Sequence, residues 1–239
     1  MQAIYREIYQ FLYQKYGPQG WWPVTPIGGC RGEAGFTPVY GIGPKNERQR
    51  LEIIFGAILT QNTAWKNVEK AIVGLNMKGL IDIDKIRSIR HEELAEAIKS
   101  SGYFNEKAKK LKNVSGFLIK HPISRLQKSD TWKARELLLS VSGIGPETAD
   151  SILLYALNKP VFVVDAYTRR IFGNLGLMNP GASYGDIQKT FMDNLPHDAD
   201  IFNEYHALIV EHAKHFYQKK TMWKECPPYR KYGISQALP

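Results

Sequence analysis

The chain has 239 residues, 44% hydrophobic and 12% aromatic, with 32 Lys and Arg set against 23 Asp and Glu. That composition excludes disorder as the main state, because there is enough apolar surface to bury, and its length suits one large domain or two modest ones. The formal charge of +9 points to a polyanionic partner, most often nucleic acid. No apolar run approaches the roughly 20 residues that cross a bilayer. The first residues read as an amphipathic helix with charges of both signs, not as a signal peptide. The two cysteines, Cys30 and Cys226, are too few for a disulfide framework or a four-cysteine metal site. A soluble, intracellular protein with no membrane partner is expected, cytoplasmic and, if it binds DNA, associated with the nucleoid.

In chain order, Ile4, Ile8, Phe11 and Leu12 repeat at the spacing of a core-facing helix over residues 2–16. Residues 17–45 break that period with 8 Gly and 5 Pro and predict a long loop. Loops of this length in compact chains are usually functional or disordered, and the adjacent Trp21 and Trp22 favour function. Helical patterning resumes at Asn46. Leu51, Ile54, Phe55, Ile58 and Leu59 share one face, followed by Val68, Ala71, Ile72 and Leu75. Helices are predicted again within 91–102, 105–121 and 132–142, each closed by Gly or a short polar turn. Residues 161–167, VFVVDAY, resemble a strand but serve equally as a link between two helices. Residues 184–195 and 202–217 return to the helical period. No repeat or low-complexity tract is present, and the predicted class is all-α.

Residues 137–155 read LLLSVSGIGPETADSILLY. A helix ends at Ser142, a Gly-Ile-Gly turn follows, and Pro146 sits at a first helical position, where its missing N–H has no cost. Gly143 and Gly145 permit positive φ and close approach of another surface, while Ile144 plugs the turn between its flanking helices. The new helix then offers unpaired N–H groups to an anion. Pattern alone also allows an ordinary helical hairpin.

LSVSGIGPETADSILLYAL followed by VFVVDAYTRRIFGNLGL resembles the helix-hairpin-helix and aspartate signature of the endonuclease III superfamily of DNA glycosylases. Upstream, GAILTQNTAWKNVEKAI matches that superfamily's helix–loop segment. The resemblance covers about residues 46–217, with its three blocks in the family's order. It implies two helical domains with DNA in the cleft between them. One would be a six-helix barrel over 43–159, ending in the hairpin; the other would combine 1–42 with 160–239. It also implies a base-excision role for Asp165, assisting departure of a damaged base and attack by water. A carboxylate suits that role, since it stabilises oxocarbenium-like charge and accepts a water proton. From the residues alone, Asp165 is the N-cap of the following helix; one side chain can do both. The hairpin residues Gly143, Ile144, Gly145 and Thr148 would contact the DNA backbone. Gln61 would enter the gap left by the flipped nucleotide, or else be a helix-end glutamine satisfied by backbone.

Two departures from the family pattern carry further expectations. Bifunctional members have a lysine two residues beyond the second hairpin Gly, where this chain has Glu147. A carboxylate cannot form a Schiff base, so a monofunctional glycosylase is expected, although another lysine could substitute. As a helix residue, Glu147 complements the dipole of a first turn. Many relatives also hold an iron–sulfur cluster on four C-terminal cysteines. Here Cys226 stands alone in that region, so no cluster, and no other metal or cofactor, is expected. The basic and aromatic segment in its place, with Lys214, Lys219 and Lys220, either tracks phosphates or is a solvated face.

Trp21-Trp22-Pro23, the Gln61–Trp65 segment and Glu147 together resemble the 3-methyladenine DNA glycosylase III branch. The resemblance implies a flipped alkylpurine stacked between Trp21 and Trp65, with Trp22, Pro23 and Glu147 shaping the pocket. A cationic base is held well by aromatic faces. Core packing is the alternative for these tryptophans, more readily for Trp65 than for two Trp in a Gly/Pro loop. The branch's pocket lysine would fall at Leu208, with Lys214 further along the same helix. The expected substrate is double-stranded DNA with an N-alkylated purine, acted on by a monomer. The alternatives are uracil or thymine opposite guanine, an oxidised purine, or a non-catalytic structure-specific DNA-binding protein.

Overall fold

The computed structural model describes residues 2–28, 33–179, 181–217 and 222–232. Among them every extended regular element is helical, and β-type pairing is confined to an isolated antiparallel bridge between Val24 and Val39. In chain order the helices are α1 (Gln2–Tyr16), α2 (Glu47–Leu59), α3 (Trp65–Met77), α4 (Ile83–Ser88), α5 (His91–Ala97), α6 (Phe104–Lys120), α7 (Ile123–Lys128), α8 (Thr131–Leu139) and α9 (Pro146–Ser151), which runs into a π-helical turn over Ile152–Ala156. Then come α10 (Ala166–Asn174), α11 (Tyr184–Asn194), α12 (Ala199–Phe216) and α13 (Pro227–Tyr232). The all-α class read from the helical period is the class observed. No helix among the described residues is long and apolar enough to cross a membrane.

The chain forms two compact units, residues 1–19 with 160–239, and residues 20–159. In the second, α2 is the central rod. Its LEIIFGAIL stretch is apolar on nearly every side and is buried without interruption from Leu51 to Leu59, the pattern of a helix wrapped by others. Asn46 caps its start by accepting from the Gln49 amide at 2.9 Å. The short α4 and α7 escape sequence patterning, because six residues barely complete a period; only the Asp82 cap on the Lys85 amide (3.0 Å) marks the first of them.

The Gly/Pro-rich segment packs with the 20–159 unit, whereas the sequence reading groups residues up to 42 with the termini. The cause is a buried polar knot. Glu52, in mid-helix and 2% exposed, accepts from the Thr25 amide at 2.7 Å and from Asn76 Nδ2 at 2.9 Å. Asn76 also donates to the Thr25 hydroxyl (2.9 Å), and Gln49 donates to the Thr25 carbonyl (2.9 Å). Burial raises the Glu52 pKa, an effect that these hydrogen bonds and Arg48 oppose. Beside the knot, Trp22 lies against Gly56 so closely that a Cβ there would sit 3.0 Å from the indole.

The first unit is organised by stacked aromatics. On α1 the buried stripe is Tyr5, Ile8 and Leu12, with Ile4 and Phe11 at its margins. Tyr5 stacks on Phe172 of α10 with ring centroids 5.4 Å apart, and Phe162 stacks on Phe191 of α11 at 4.0 Å. Tyr205 of α12 donates its hydroxyl proton to the Tyr5 carbonyl at 2.9 Å. Val161 to Val164 are fully buried but pair with no strand, so this segment is the inter-helix link.

Replacing Glu52 by Ala leaves the buried Thr25 amide without its acceptor and strips Asn76 of one of two. A loss of roughly 3 kcal/mol in denaturant unfolding is expected, with new proteolytic cleavage within residues 20–45; wild-type stability and resistance would refute the knot's role.

Candidate active site and nucleic-acid interface

The Gly-Ile-Gly turn is built as a rigid insert. Helix α8 ends at Leu139, slightly before the predicted Ser142, and Ser140 caps it. The Ile144 amide closes the turn on the Val141 carbonyl at 3.0 Å, and the Ile144 side chain is buried between the flanking helices. Gly143 has φ +95°, a conformation open mainly to glycine. A Cβ there would also meet the Lys110 side chain at 2.5 Å. Gly145 is different: its φ is −95° and its surroundings are open, so it serves as the N-cap of α9 with Pro146 next. Behind the turn, buried Asp150 of α9 receives Arg135 of α8 in a two-pronged ion pair of 2.7 and 3.0 Å, a pairing absent from the sequence reading.

The turn is joined to the segment before α3. Gln61 Nε2 donates to the Gly143 carbonyl (3.1 Å) and to the Thr148 hydroxyl (2.9 Å), while its carbonyl accepts from Lys110. Gln61 is thus satisfied here by one backbone carbonyl and two side chains, not by backbone alone. The next residue, Asn62, is exposed and adopts φ +53°. Glu147 is exposed in the first turn of α9. It places a carboxylate, not an amine, beside the turn.

Trp21, Trp22 and Trp65 do come together. Trp21 and Trp65 meet at 4.7 Å and 66°, Trp22 and Trp65 at 5.4 Å and 86°. Tyr155 packs on Trp22 at 5.2 Å and Tyr40 on Trp21 at 5.6 Å; neither tyrosine is predicted from sequence. Trp22 and Pro23 are buried, Trp21 and Trp65 partly so. The expected sandwich is closed. Two rings flanking a third must stand at twice an aromatic contact distance, and these two touch edge to face. The Trp65 indole N–H is buried with no hydrogen-bond partner among the described residues.

Asp165 sits at the start of α10, held by the buried link before it. Gln188 donates to the Phe162 carbonyl at 2.7 Å, and the Val164 amide reaches the Tyr184 hydroxyl at 3.4 Å. Asp165 is the N-cap: Oδ1 accepts from the Thr168 amide (2.7 Å) and hydroxyl (2.8 Å). Oδ2 is left toward His206 of α12, whose Nε2 is 3.8 Å away. Burial lowers the His206 pKa and the Asp165 charge raises it, with burial prevailing. His206 is a histidine in an amphipathic helix, and no sequence signal distinguishes it from a core residue.

On α12, Leu208 is fully buried, whereas Lys214 is exposed and paired with Glu211 at 2.7 Å. Lys219 and Lys220 lie outside the described residues. Another surface feature carries no sequence signal. Tyr103, before α6, is 73% exposed at φ +46°. An exposed ring on a tight left-handed turn suits contact with a base.

The fold and the Gly-Ile-Gly turn define an all-α protein with a helix-hairpin-helix motif. Residues 55–197 match the HhH-GPD superfamily of base excision DNA repair proteins, more than half of the chain, and the protein belongs to that superfamily. It is thus a base-excision repair DNA glycosylase of the HhH-GPD type. The chain is 44% identical to a Methanocaldococcus jannaschii protein provisionally named a DNA repair glycosylase, over 95% of this chain and 94% of that one. It is 30% identical to endonuclease III of Sulfolobus acidocaldarius, over 75% and 79%. Among solved structures, H. pylori 3-methyladenine DNA glycosylase (MagIII) bound to 1,N6-ethenoadenine matches with a TM-score of 0.69 and 28% identity, covering 88% of this chain and 97% of that one.

Proposed function

We propose that the chain is a monofunctional, monomeric glycosylase that hydrolyses the N-glycosidic bond of an N-alkylated purine, such as 3-methyladenine, flipped from duplex DNA. The observation that carries this reading is Glu147, a carboxylate, at the position where the family resemblance puts a Schiff-base lysine; the separately fixed Asp165 carboxylate supports it. The likeness to an alkylpurine glycosylase at 28% identity supports the choice of base.

Flipping takes a few kcal/mol, least for a damaged or mismatched pair. The hairpin, with Thr148 behind it, would hold the phosphate backbone without reading sequence, and the Lys214–Lys220 region would add salt-sensitive attraction. For Gln61 to enter the vacated stack it must give up its bonds to Gly143, Thr148 and Lys110. The extruded base would stack on the tryptophan cluster after Trp21 and Trp65 part. Alkylation makes the purine cationic, so it binds to aromatic faces through cation–π attraction and leaves readily. As the C1′–N bond breaks, its electron pair neutralises the base. Water then adds at C1′ and gives its proton to Asp165, whose charge has steadied the oxocarbenium-like sugar. Thr168 fixes one carboxylate oxygen, and burial, which lowers the His206 pKa, disfavours an imidazolium beside the other.

One observation favours a second reading. The unpartnered Trp65 N–H would suit a base with a carbonyl acceptor, as in uracil, thymine or an oxidised purine.

Duplexes bearing single lesions separate these readings. Excision confined to methylated purines, with strand breaks only after alkali, is expected. Release of uracil, thymine or an oxidised base would transfer the claim to the second reading, and DNA binding without any excision would leave a non-catalytic protein. Borohydride trapping of a covalent adduct would end the monofunctional claim. Asp165→Asn should lower single-turnover excision by about a thousandfold while DNA affinity changes little; turnover near wild type would remove Asp165 from the chemistry.

We also propose that no iron–sulfur cluster is held. Cys226 is buried with its Sγ 3.9 Å from the Tyr217 hydroxyl, and two cysteines in the sequence cannot supply four thiolates. Protein purified without oxygen should contain almost no iron or sulfide; about four irons per chain would contradict this.

A further inference from the structure

Lys107 of α6 is one of the largest fully enclosed side chains in the protein, only 2% exposed. Its ammonium has three protons, and each meets an acceptor: the Leu59 carbonyl at 2.8 Å, the Thr63 hydroxyl at 2.7 Å and the Ser101 carbonyl at 2.7 Å. Leu59 ends α2, so its carbonyl lacks an intrahelical partner and attracts a cation. Ser101 belongs to the turn that precedes α6, and the Thr63 hydroxyl also donates to the Ser101 carbonyl. One buried charge therefore joins two separate segments. Each ends in an exposed residue on left-handed backbone: Asn62, beside Gln61, at φ +53°, and Tyr103 at φ +46°.

We propose that Lys107 is a positioning residue that locks the 60–63 loop and the 101–103 turn into one rigid two-pronged element, which enters the duplex when a nucleotide is extruded. Enclosure keeps Lys107 itself from touching DNA. Burial, with Lys110 nearby, lowers its pKa to about 8, which still leaves an ammonium at neutral pH. A buried charge is seldom the most stable filling for a core, since apolar residues of like volume often do as well. What an apolar side chain cannot do is hold three oxygens from two segments in fixed register. The prongs would then act together, Gln61 and Asn62 at the vacated stack and Tyr103 against a neighbouring base, where aromatic stacking is sequence-tolerant. The inference rests on the glycosylase reading for its setting, but its test does not depend on which base is excised.

The test uses a duplex carrying 2-aminopurine beside a tetrahydrofuran abasic analogue, and compares wild type with Lys107→Met. Wild type should raise 2-aminopurine fluorescence on binding as the prongs unstack the base. The variant should bind with affinity within about threefold of wild type yet lose most of that rise, because misplacement of about 1 Å can cost about a hundredfold in positioned chemistry. Single-turnover excision of the preferred lesion should fall by about that hundredfold factor. Should Lys107→Met fail to fold, Thr63→Val removes one acceptor only, and a partial loss of the fluorescence rise is expected. Full fluorescence in a folded variant, loss of affinity in parallel with it, or no rise with wild type would each overturn the proposal. An absence of excision by wild type on every lesion would instead count against the glycosylase reading, with the fluorescence result on Lys107 still standing.

Discussion

A helix buried on all sides has nowhere to send its polar groups. That constraint on α2 shapes the 20–159 unit. Its apolar run requires enclosure, yet it carries Gln49 and Glu52, and its last carbonyls lack intrahelical partners. An unsatisfied buried polar group is expensive, so other segments must supply partners. Those that do so carry the candidate functional groups. Thr25, two residues from the Trp pair's Pro23, satisfies Gln49 and Glu52. Lys107, next to the exposed Tyr103 turn, satisfies the Leu59 carbonyl. Stability of the core and placement of the surface residues are here the same set of hydrogen bonds.

This explains what could be read from the residues and what could not. The class, the longer helices and the hairpin follow from local signals: period, glycine at the turn, proline at the first helical position. The hairpin's details separate on inspection, since only Gly143 needs its missing side chain, and Gly145 merely caps. The course of residues 20–45 was illegible, because Glu52 in an apolar helix gives no hint that its partners lie in a distant loop. His206 and Lys107 were equally hidden. Both stand in helices where a histidine or a lysine reads as ordinary composition, and burial is a property of tertiary packing.

Of the two readings of Asp165, the structure shows the cap, and the catalytic role is the one proposed above. The capping reading is correct in the plain structural sense: Oδ1 holds the Thr168 amide and hydroxyl. The cap engages Oδ1 alone and fixes the direction of the carboxylate, leaving Oδ2 facing His206. The stacked aromatics and the buried Val161–Val164 link make that direction insensitive to side-chain motion, because the backbone before Asp165 is packed on several sides.

The Arg135–Asp150 pair has an effect that reaches beyond the hairpin it braces. A backbone-gripping element that had to order itself at each encounter would lose entropy every time it touched a phosphate. This one is closed already, by the Ile144 amide, by the buried Ile144 side chain and by two helices tied to each other. On the proposed reading, in which this turn holds duplex, each touch on undamaged DNA would be brief and repeatable, with no refolding between touches. Such a protein can afford to visit many sound base pairs before it meets one worth removing.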